Sequence, residues 1–301
     1  MGKFPIQIIS LGKQIEFLGN RMEFVESPIQ GDTYFSIFRG SGLEFKGHRE
    51  YSMQDDSSDI DWKASLRSDK LLVKEYYQEK GMDVVFLYDV SETMLFGSQN
   101  KIKAQYGAEF ILALAGVAIE ANYNVGLVCF SDKVTKSFTP SSGGSQIGLF
   151  FGILQEHSTY GGGYDLTKAL EFIDSLYGPG TVVILVSDFL GSKFPFEHFK
   201  DKFKQLSSKF DVISVILRDP RDEFMPSENM GMVISSPYGG GDVFFNTGKV
   251  KKEYEAYAKD QKDKLKKFLS DVRSDHFEVY TDKPFIDSTI AFFTRRNALW
   301  S

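Results

Sequence analysis

Five continuous apolar stretches recur along the second part of the chain, each of the length of a single strand. They occupy residues 84–88, 125–130, 181–186 and 212–217, with a weaker fifth stretch at 277–280. Apolar runs without polar alternation are typical of strands that are covered on both faces, as in a parallel sheet. The hydrophobic pattern therefore predicts a buried sheet.

Helical periodicity fills the gaps between these stretches. Strands that alternate with helices favour a doubly wound α/β fold with a mostly parallel sheet. Residues 134–138 closely follow the second strand, and we expect them to add an antiparallel edge. The longest apolar run, residues 110–119, is far shorter than the roughly 20 residues of a membrane span, so we expect no membrane insertion. The predicted helices cover residues 101–121, 146–155, 166–176, 196–208, 251–272 and 284–295.

The first 80 residues follow a different pattern. Short alternating pieces, such as residues 34–38, predict strands separated by glycine-containing turns. A charged stretch follows at residues 44–67. We therefore divide the chain into a β-rich N-terminal region, residues 1–80, and an α/β domain, residues 81–301.

Composition narrows the range of partners. The chain of 301 residues carries 35 lysines and arginines against 41 aspartates and glutamates, a formal net charge of −6. Nucleic-acid binding depends on basic side chains that neutralise phosphates, so this acidic balance disfavours it. The single cysteine, Cys129, excludes an internal disulfide, and its apolar neighbours predict a core residue. Because the N-terminus has no signal-peptide pattern, we expect a cytoplasmic protein.

Two of the predicted strands end at aspartates. Asp89, Ser91 and Thr93 alternate directly after the first strand, and Asp188 follows the third. Ligands of open α/β sheets gather outside the carboxyl ends of the strands. Carboxylate and hydroxyl oxygens suit a hard divalent cation, so the spacing indicates a candidate site for Mg²⁺ or Mn²⁺. The alternative is that both aspartates only cap the helices that follow.

This ordered set of motifs resembles the metal-ion-dependent adhesion site of von Willebrand factor A domains. The likeness rests on Asp-x-Ser-x-Thr after a hydrophobic strand and on Ser-Asp at the end of a later strand. The wider match is to the domain-of-unknown-function 58 (DUF58) family, in which a polar motif precedes such a domain. It covers roughly residues 40–296, and the run Arg-Asp-Pro-Arg at residues 218–221 resembles the family's segment after a late strand.

The resemblance implies a Rossmann-like sheet with helices on both faces. It assigns Asp89, Ser91 and Thr93 to the first metal-site motif and Asp188 to the last. Proteins of this kind usually bind other proteins through the metal, with a carboxylate of the partner completing its coordination. The family is associated with MoxR-type AAA+ ATPases, so the implied partner is such an ATPase or its client.

One position departs from the family pattern. Tyr164 stands in the segment Gly-Gly-Tyr-Asp-Leu, where the family has a threonine. A neutral phenol, with an ordinary pKa of about 10, is bulkier than a threonine hydroxyl and a poorer metal ligand. We therefore expect a degenerate site that Tyr164 weakens or fills.

The charged stretch upstream supplies the polar motif of the resemblance. It has two interpretations: a buried ion-pair network that joins the N-terminal region to the sheet domain, or an exposed surface for a partner. We favour the structural role, in which Trp62 is a core residue. The residues of the motif are Arg49, Glu50, Asp55, Asp56, Asp61, Trp62 and Arg67.

Three hypotheses for the function follow. The first is a non-enzymatic interaction module or adaptor, in which the metal bridges two proteins. The alternative is a metal-dependent hydrolase of phosphate esters, in which the cation polarises the substrate or activates water. Against this alternative, no second carboxylate stands at Asp-x-Asp spacing after the first strand. The third is a purely structural domain whose metal site has decayed.

Overall fold

A six-stranded sheet organises the chain from residue 82 onward. The computed structural model describes residues 14, 45–52, 60–68, 70–76, 82–191, 196–226, 231–235 and 242–298. The strands of these residues are β1 Phe45–Glu50, β2 Leu72–Tyr76, β3 Asp83–Asp89, β4 Asn124–Phe130, β5 Val134–Ser141, β6 Val182–Ser187, β7 Asp211–Arg218, β8 Gly231–Ser235, β9 Asp242–Asn246 and β10 Asp275–Tyr280. Their α-helices are α1 Trp62–Ser65, α2 Lys103–Glu120, α3 Gly144–Leu154, α4 Leu166–Leu176, α5 Glu197–Lys209, α6 Thr247–Asp271 and α7 Phe285–Ala298.

The order of the strands creates a crevice beside β3. The main sheet runs β10-β7-β6-β3-β4-β5. Every neighbouring pair is parallel except β4 with β5, which is antiparallel. The chain builds outward from β3 through β4 on one side and later through β6 on the other, so the winding reverses between β3 and β6. Such a reversal opens a crevice at the carboxyl ends of the two strands.

Helices cover both faces of this sheet. On β3, Val84, Phe86 and Tyr88 face one core with α2, α3 and α7, whereas Val85 and Leu87 face another core with α4, α5 and α6. All five side chains are fully buried. Coverage on both faces explains why the strand sequences are apolar throughout and do not alternate.

The predicted α/β fold and its elements are confirmed. Each of the five apolar stretches is a strand, and the six predicted helices correspond to α2 through α7 with small shifts at their ends. The predicted antiparallel edge is β5, which pairs with β4. Sequence reasoning missed the hairpin of β8 and β9, whose strands expose apolar side chains such as Val233 and Phe244.

Residues 45–76 include a second, two-stranded sheet. In it β1 pairs antiparallel with β2, and the short helix α1 lies between them in the chain. Asp61 caps this helix, because its carboxylate accepts hydrogen bonds from the backbone N–H groups of Lys63 and Ala64, each at 3.0 Å. The strand predicted at residues 34–38 lies outside the described residues, and the division of the chain at residue 80 stays a prediction.

The longest apolar run of the sequence forms part of the hydrophobic core. Residues 110–119 lie in α2, and Phe110, Ile111 and Leu114 are buried against the sheet. None of the helices that the structure describes combines the length and the hydrophobicity needed to cross a membrane. Cys129 is fully buried in β4, as predicted, and burial raises the pKa of its thiol to about 12.

The contact between α2 and β3 leads to a packing prediction. A Cβ atom at Gly107 would lie 2.7 Å from the hydroxyl and 2.9 Å from Cε2 of Tyr88. That tyrosine is fixed by a 2.7 Å hydrogen bond from its hydroxyl to the carbonyl of Ala104. We expect Gly107→Ala to destabilise the fold by about 1–3 kcal/mol in urea unfolding, because overpacking outweighs the gain in helix propensity.

Gly148 in α3 offers a matched control, since open space surrounds the position of its Cβ atom. Gly148→Ala should stabilise the fold by about 0.5–1 kcal/mol through helix propensity alone. Equal effects of the two substitutions would contradict the packing described.

Candidate functional site at the carboxyl edge of the sheet

The four predicted site residues lie together where β3 and β6 end. The Thr93 hydroxyl donates to Asp188 Oδ1 at 3.2 Å, and its oxygen lies 3.2 Å from Ser91 Oγ. The backbone N–H of Ser91 donates to Asp89 Oδ1 at 2.9 Å. Because β3 and β6 are parallel neighbours, the sheet joins two carboxylates that are far apart in the chain.

Backbone hydrogen bonds fix the loop that follows β3. The N–H of Val90 donates to the carbonyl of Phe130, and the N–H of Gly161 donates to the carbonyl of Val90. A short 3₁₀ helix, Glu92–Leu95, comes next, without a side-chain cap hydrogen bond. After β6, Asp188 accepts a hydrogen bond from the N–H of Leu190, well before α5 begins. Neither aspartate caps a following α-helix, so the capping interpretation is wrong.

Ser187 is a fifth member of the site; sequence reasoning placed it in the Ser-Asp motif but did not assign it to the site. Its hydroxyl donates to Asp89 Oδ2 at 2.6 Å and accepts a 2.9 Å hydrogen bond from the N–H of Phe189. Asp89, Ser187 and Asp188 are all fully buried. The available signal was its place at the end of a strand directly before an aspartate.

Burial dominates the electrostatics of Asp89. Loss of water raises the pKa of this carboxyl, and the nearby negative charge of Asp188 raises it further. Hydrogen bonds from Ser187 and Ser91 act in the opposite direction, and the resulting pKa is about 7. The charged form of one carboxylate is therefore costly next to the other.

Lys103 is the second residue that sequence reasoning missed. Its ammonium donates to Asp188 Oδ2 at 2.5 Å and lies 3.3–3.4 Å from the two carboxylate oxygens of Asp222. The lysine side chain is only 1% exposed. Burial by itself lowers the pKa of Lys103, but Asp188 and Asp222 hold it above the ordinary value. The available signal was a lysine at the start of a helix whose residues are mostly apolar.

Asp219 connects the loops behind this lysine. It accepts hydrogen bonds from the backbone N–H and the hydroxyl of Ser98, at 2.8 and 2.5 Å, and from the hydroxyl of Thr281 at 3.0 Å. Its own N–H donates to Asp222 Oδ2 at 2.8 Å, which holds that carboxylate near Lys103. Burial raises the pKa of Asp219, but the hydrogen bonds from Ser98, Arg221 and Thr281 outweigh it and hold the pKa below the ordinary value.

Tyr164, at the threonine position of the resemblance, is partly buried against the core. Its ring contacts Phe130 edge-on, with the centroids 5.7 Å apart, and it packs against the core on the α4 side of the sheet. The preceding loop runs close to the site, since the N–H of Glu92 donates to the carbonyl of Gly162. Gly162 has a φ of 87°, and a Cβ atom there would lie 3.2 Å from Ser131 Oγ, so a glycine suits the position.

The oxygen atoms at this edge suit a divalent cation in type, but their contacts do not fit one. Asp188 Oδ2 is paired with the Lys103 ammonium, and Oδ1 accepts from Thr93 and Leu190. Asp89 Oδ2 is paired with Ser187. Among the described residues, no group of three or more histidine, cysteine, aspartate and glutamate side chains is arranged to hold a metal ion.

Residues 47–264, well over half of the chain, match the family described as "Protein of unknown function DUF58". The chain belongs to the DUF58 family. This confirms the family resemblance that the strand-end motifs and the polar motif indicated. A search of the curated proteins found no match.

A search of the solved structures found several that are similar to this DUF58 chain over part or most of its length. BatB from Bacteroides thetaiotaomicron is 13% identical, with 73% of this chain and 100% of that chain covered and a TM-score of 0.48. The SpRpn10 VWA domain is 9% identical, with 69% and 93% covered and a TM-score of 0.39. An uncharacterized membrane spanning protein from Vibrio fischeri is 16% identical, with 74% and 100% covered and a TM-score of 0.26. Because these TM-scores are low, the fold of this chain is described from its own strand order and not from these structures.

The polar motif of this DUF58 chain is exposed where the structure describes it. Trp62 is 61% exposed at the first position of α1, so it is not the core residue that the structural interpretation required. Arg49, Glu50 and Arg67 are exposed too, and Glu50 pairs with Lys70 at the surface. Asp61 is the exception, since it caps α1 and lies 3.0 Å from His48 Nε2. The described members therefore do not form a buried network; Asp55 and Asp56 lie outside the described residues.

The hydrogen bonds to Asp219 lead to a prediction of pH dependence. Because its pKa is lower in the folded state, Asp219 contributes stability that is present above its ordinary pKa of about 3.9 and is lost as the pH falls through the lower folded value. Asp219→Ala should cost about 3 kcal/mol at pH 7, since four donated hydrogen bonds lose their acceptor. The difference from wild type should shrink in urea titrations carried towards pH 3.

Asp282→Ala is the control, because it removes an exposed carboxylate beside Thr281. Its small effect should not vary over the same pH range. An Asp219→Ala difference that stays constant down to pH 3 would contradict the prediction.

Proposed function

We propose that this DUF58 chain is a non-enzymatic interaction module, an adaptor that binds a protein partner at the carboxyl edge of its main sheet. The observation that carries the proposal is a set of exposed apolar side chains at that edge. Phe96, Leu190 and Phe224, which we call the apolar rim, are 47%, 44% and 54% exposed. They follow β3, β6 and β7, so three separate loops bring them to one side of the sheet.

The apolar rim is held in place by the buried site beneath it. The ring centroid of Phe96 lies 5.6 Å from the Lys103 ammonium. The N–H of Leu190 donates to Asp188, and the N–H of Phe224 donates to the carbonyl of Pro220. A surface that is fixed before binding loses little conformational entropy when a partner docks. Aromatic and aliphatic anchors of this kind supply much of the binding energy of protein interfaces.

A pocket of about 260 Å³ extends the same surface towards α6. Its lining includes Leu190, Tyr257 and Leu265 together with the charged Arg218, Asp222, Glu223 and Lys262. A recess that combines apolar and charged groups of both signs suits a side chain of a partner protein. The rim and the pocket together offer both an anchor surface and a recess.

The polar groups below the rim support a structural role for the degenerate adhesion-type site. Asp89, Ser91, Thr93 and Asp188 bond to one another and to neighbouring loops. On the family's association with MoxR-type AAA+ ATPases, the proposed partner is such an ATPase or its client. The cytoplasmic location belongs to the same proposal.

Binding measurements with a purified MoxR-type ATPase from the same organism test the proposal. Phe96→Ser combined with Leu190→Ser should weaken binding at least tenfold, about 1.4 kcal/mol, because it removes two apolar anchors. Leu176→Ser is the matched control: that leucine is 47% exposed at the end of α4, on the opposite side of the sheet, and its loss should leave binding unchanged.

Two results would contradict the proposed function. One is equal binding by the rim variant and the control, with both folded by circular dichroism. The other is turnover of a generic phosphate ester by wild type that Asp89→Ala abolishes, which would favour the hydrolase hypothesis.

A further inference from the structure

Lys103 occupies an electrostatically unfavourable position, at the buried N-terminus of a helix. It is the first residue of α2, whose N-cap residue, Ile102, makes no side-chain hydrogen bond. The N-terminus of a helix carries a partial positive charge, so acidic side chains are favoured there and cations are not. The lysine is also 1% exposed, which adds the cost of removing an ammonium from water. Both costs require strong compensation from nearby groups.

Two carboxylates supply that compensation. Asp188 Oδ2 lies 2.5 Å from the Lys103 ammonium, and the Asp222 oxygens lie 3.3 and 3.4 Å from it. The Phe96 ring covers the group at 5.6 Å. The ammonium therefore binds at the same carboxylate, Asp188, that the adhesion-type motif assigns to a metal ion.

Formal charges give the same picture. The Lys103 ammonium contacts two carboxylates, Asp188 and Asp222, and these three charges sum to −1. A divalent cation placed beside the ammonium would change that sum to +1. With the ammonium removed, the two carboxylates sum to −2, which a divalent cation would neutralise.

We propose that the Lys103 ammonium is the built-in cation of this site and takes the role that Mg²⁺ or Mn²⁺ has in metal-dependent adhesion sites. The wild-type protein then binds neither ion at the carboxyl edge. Removal of the ammonium converts the edge into a divalent-cation site formed by Asp188, Asp222 and Asp89 with their neighbouring hydroxyls. This inference concerns the cation alone and stands whether or not the apolar rim binds a partner.

Metal titration of the wild-type protein is the first test. Mn²⁺ binding, followed by the paramagnetic signal of the free ion, should show no site with a dissociation constant below about 1 mM. The melting temperature should change by less than about 1 °C in about 5 mM Mg²⁺ or Mn²⁺. A wild-type Mn²⁺ site below that limit that Asp188→Asn abolishes would overturn the proposal.

Removal of the ammonium is the second test. Lys103→Met keeps most of the length of the side chain without its charge and should lower the melting temperature without metal. The variant should gain a rise of about 3 °C or more in about 5 mM Mn²⁺. The double variant Lys103→Met with Asp188→Asn should lose that rise. Lys101→Met is the matched control, because it removes a half-exposed lysine paired with Glu109 and leaves Lys103 in place; it should show no metal response.

The proposal can be tested whether or not Lys103→Met folds without a metal ion. If Lys103→Met folds only with Mn²⁺ present, the metal has replaced the ammonium and the proposal holds. Lys103→Gln provides a second neutral variant of similar length. If neither variant responds to Mg²⁺ or Mn²⁺, folded or not, the ammonium does not hold the place of a divalent cation and the proposal is wrong.

Discussion

The parallel pairing of β3 with β6 is the constraint on which the rest of the site depends. It places the carboxyl ends of two strands side by side at the point where the winding of the sheet reverses. Asp89 and Asp188 are both fully buried there, and the cost of removing their charges from water, increased by their mutual repulsion, is the central electrostatic problem of this site. The surrounding hydrogen bonds and the ion pair with Lys103 offset this cost.

The groups that stabilise the two carboxylates come from several elements. Ser187 and Ser91 donate to Asp89, while Thr93 and the Lys103 ammonium donate to Asp188. Because Lys103 belongs to α2, the same ion pair fixes the start of that helix against the end of β6. Asp222 and Asp219 extend the network to the loops after β7 and β10. The carboxyl edge is therefore a single polar unit that joins four strands through their loops.

The same polar groups also hold the exposed apolar side chains that lie above them. The Phe96 ring lies over the Lys103 ammonium. The backbone N–H of Leu190 donates to Asp188, the carboxylate that the ammonium also binds. In the proposed function, apolar side chains on a fixed polar base bind a partner without reordering. The exposed Trp62 at the start of α1 adds a second apolar feature, in a part of the chain where the polar motif is at the surface.

The sequence by itself determined the fold class, four members of the site, and the strands and helices of the main sheet domain apart from the hairpin of β8 and β9. Burial on both sheet faces leaves a continuous apolar signature in each strand, and polar residues that end such strands must gather at one edge. Only the tertiary structure decided which other groups reach that edge. Lys103 is not part of the Asp-x-Ser-x-Thr spacing, and its ammonium reaches Asp188 because the first residue of α2 lies beside the end of β6. The exposure of Trp62 also depended on the tertiary structure, because neither spacing nor composition states what covers a side chain.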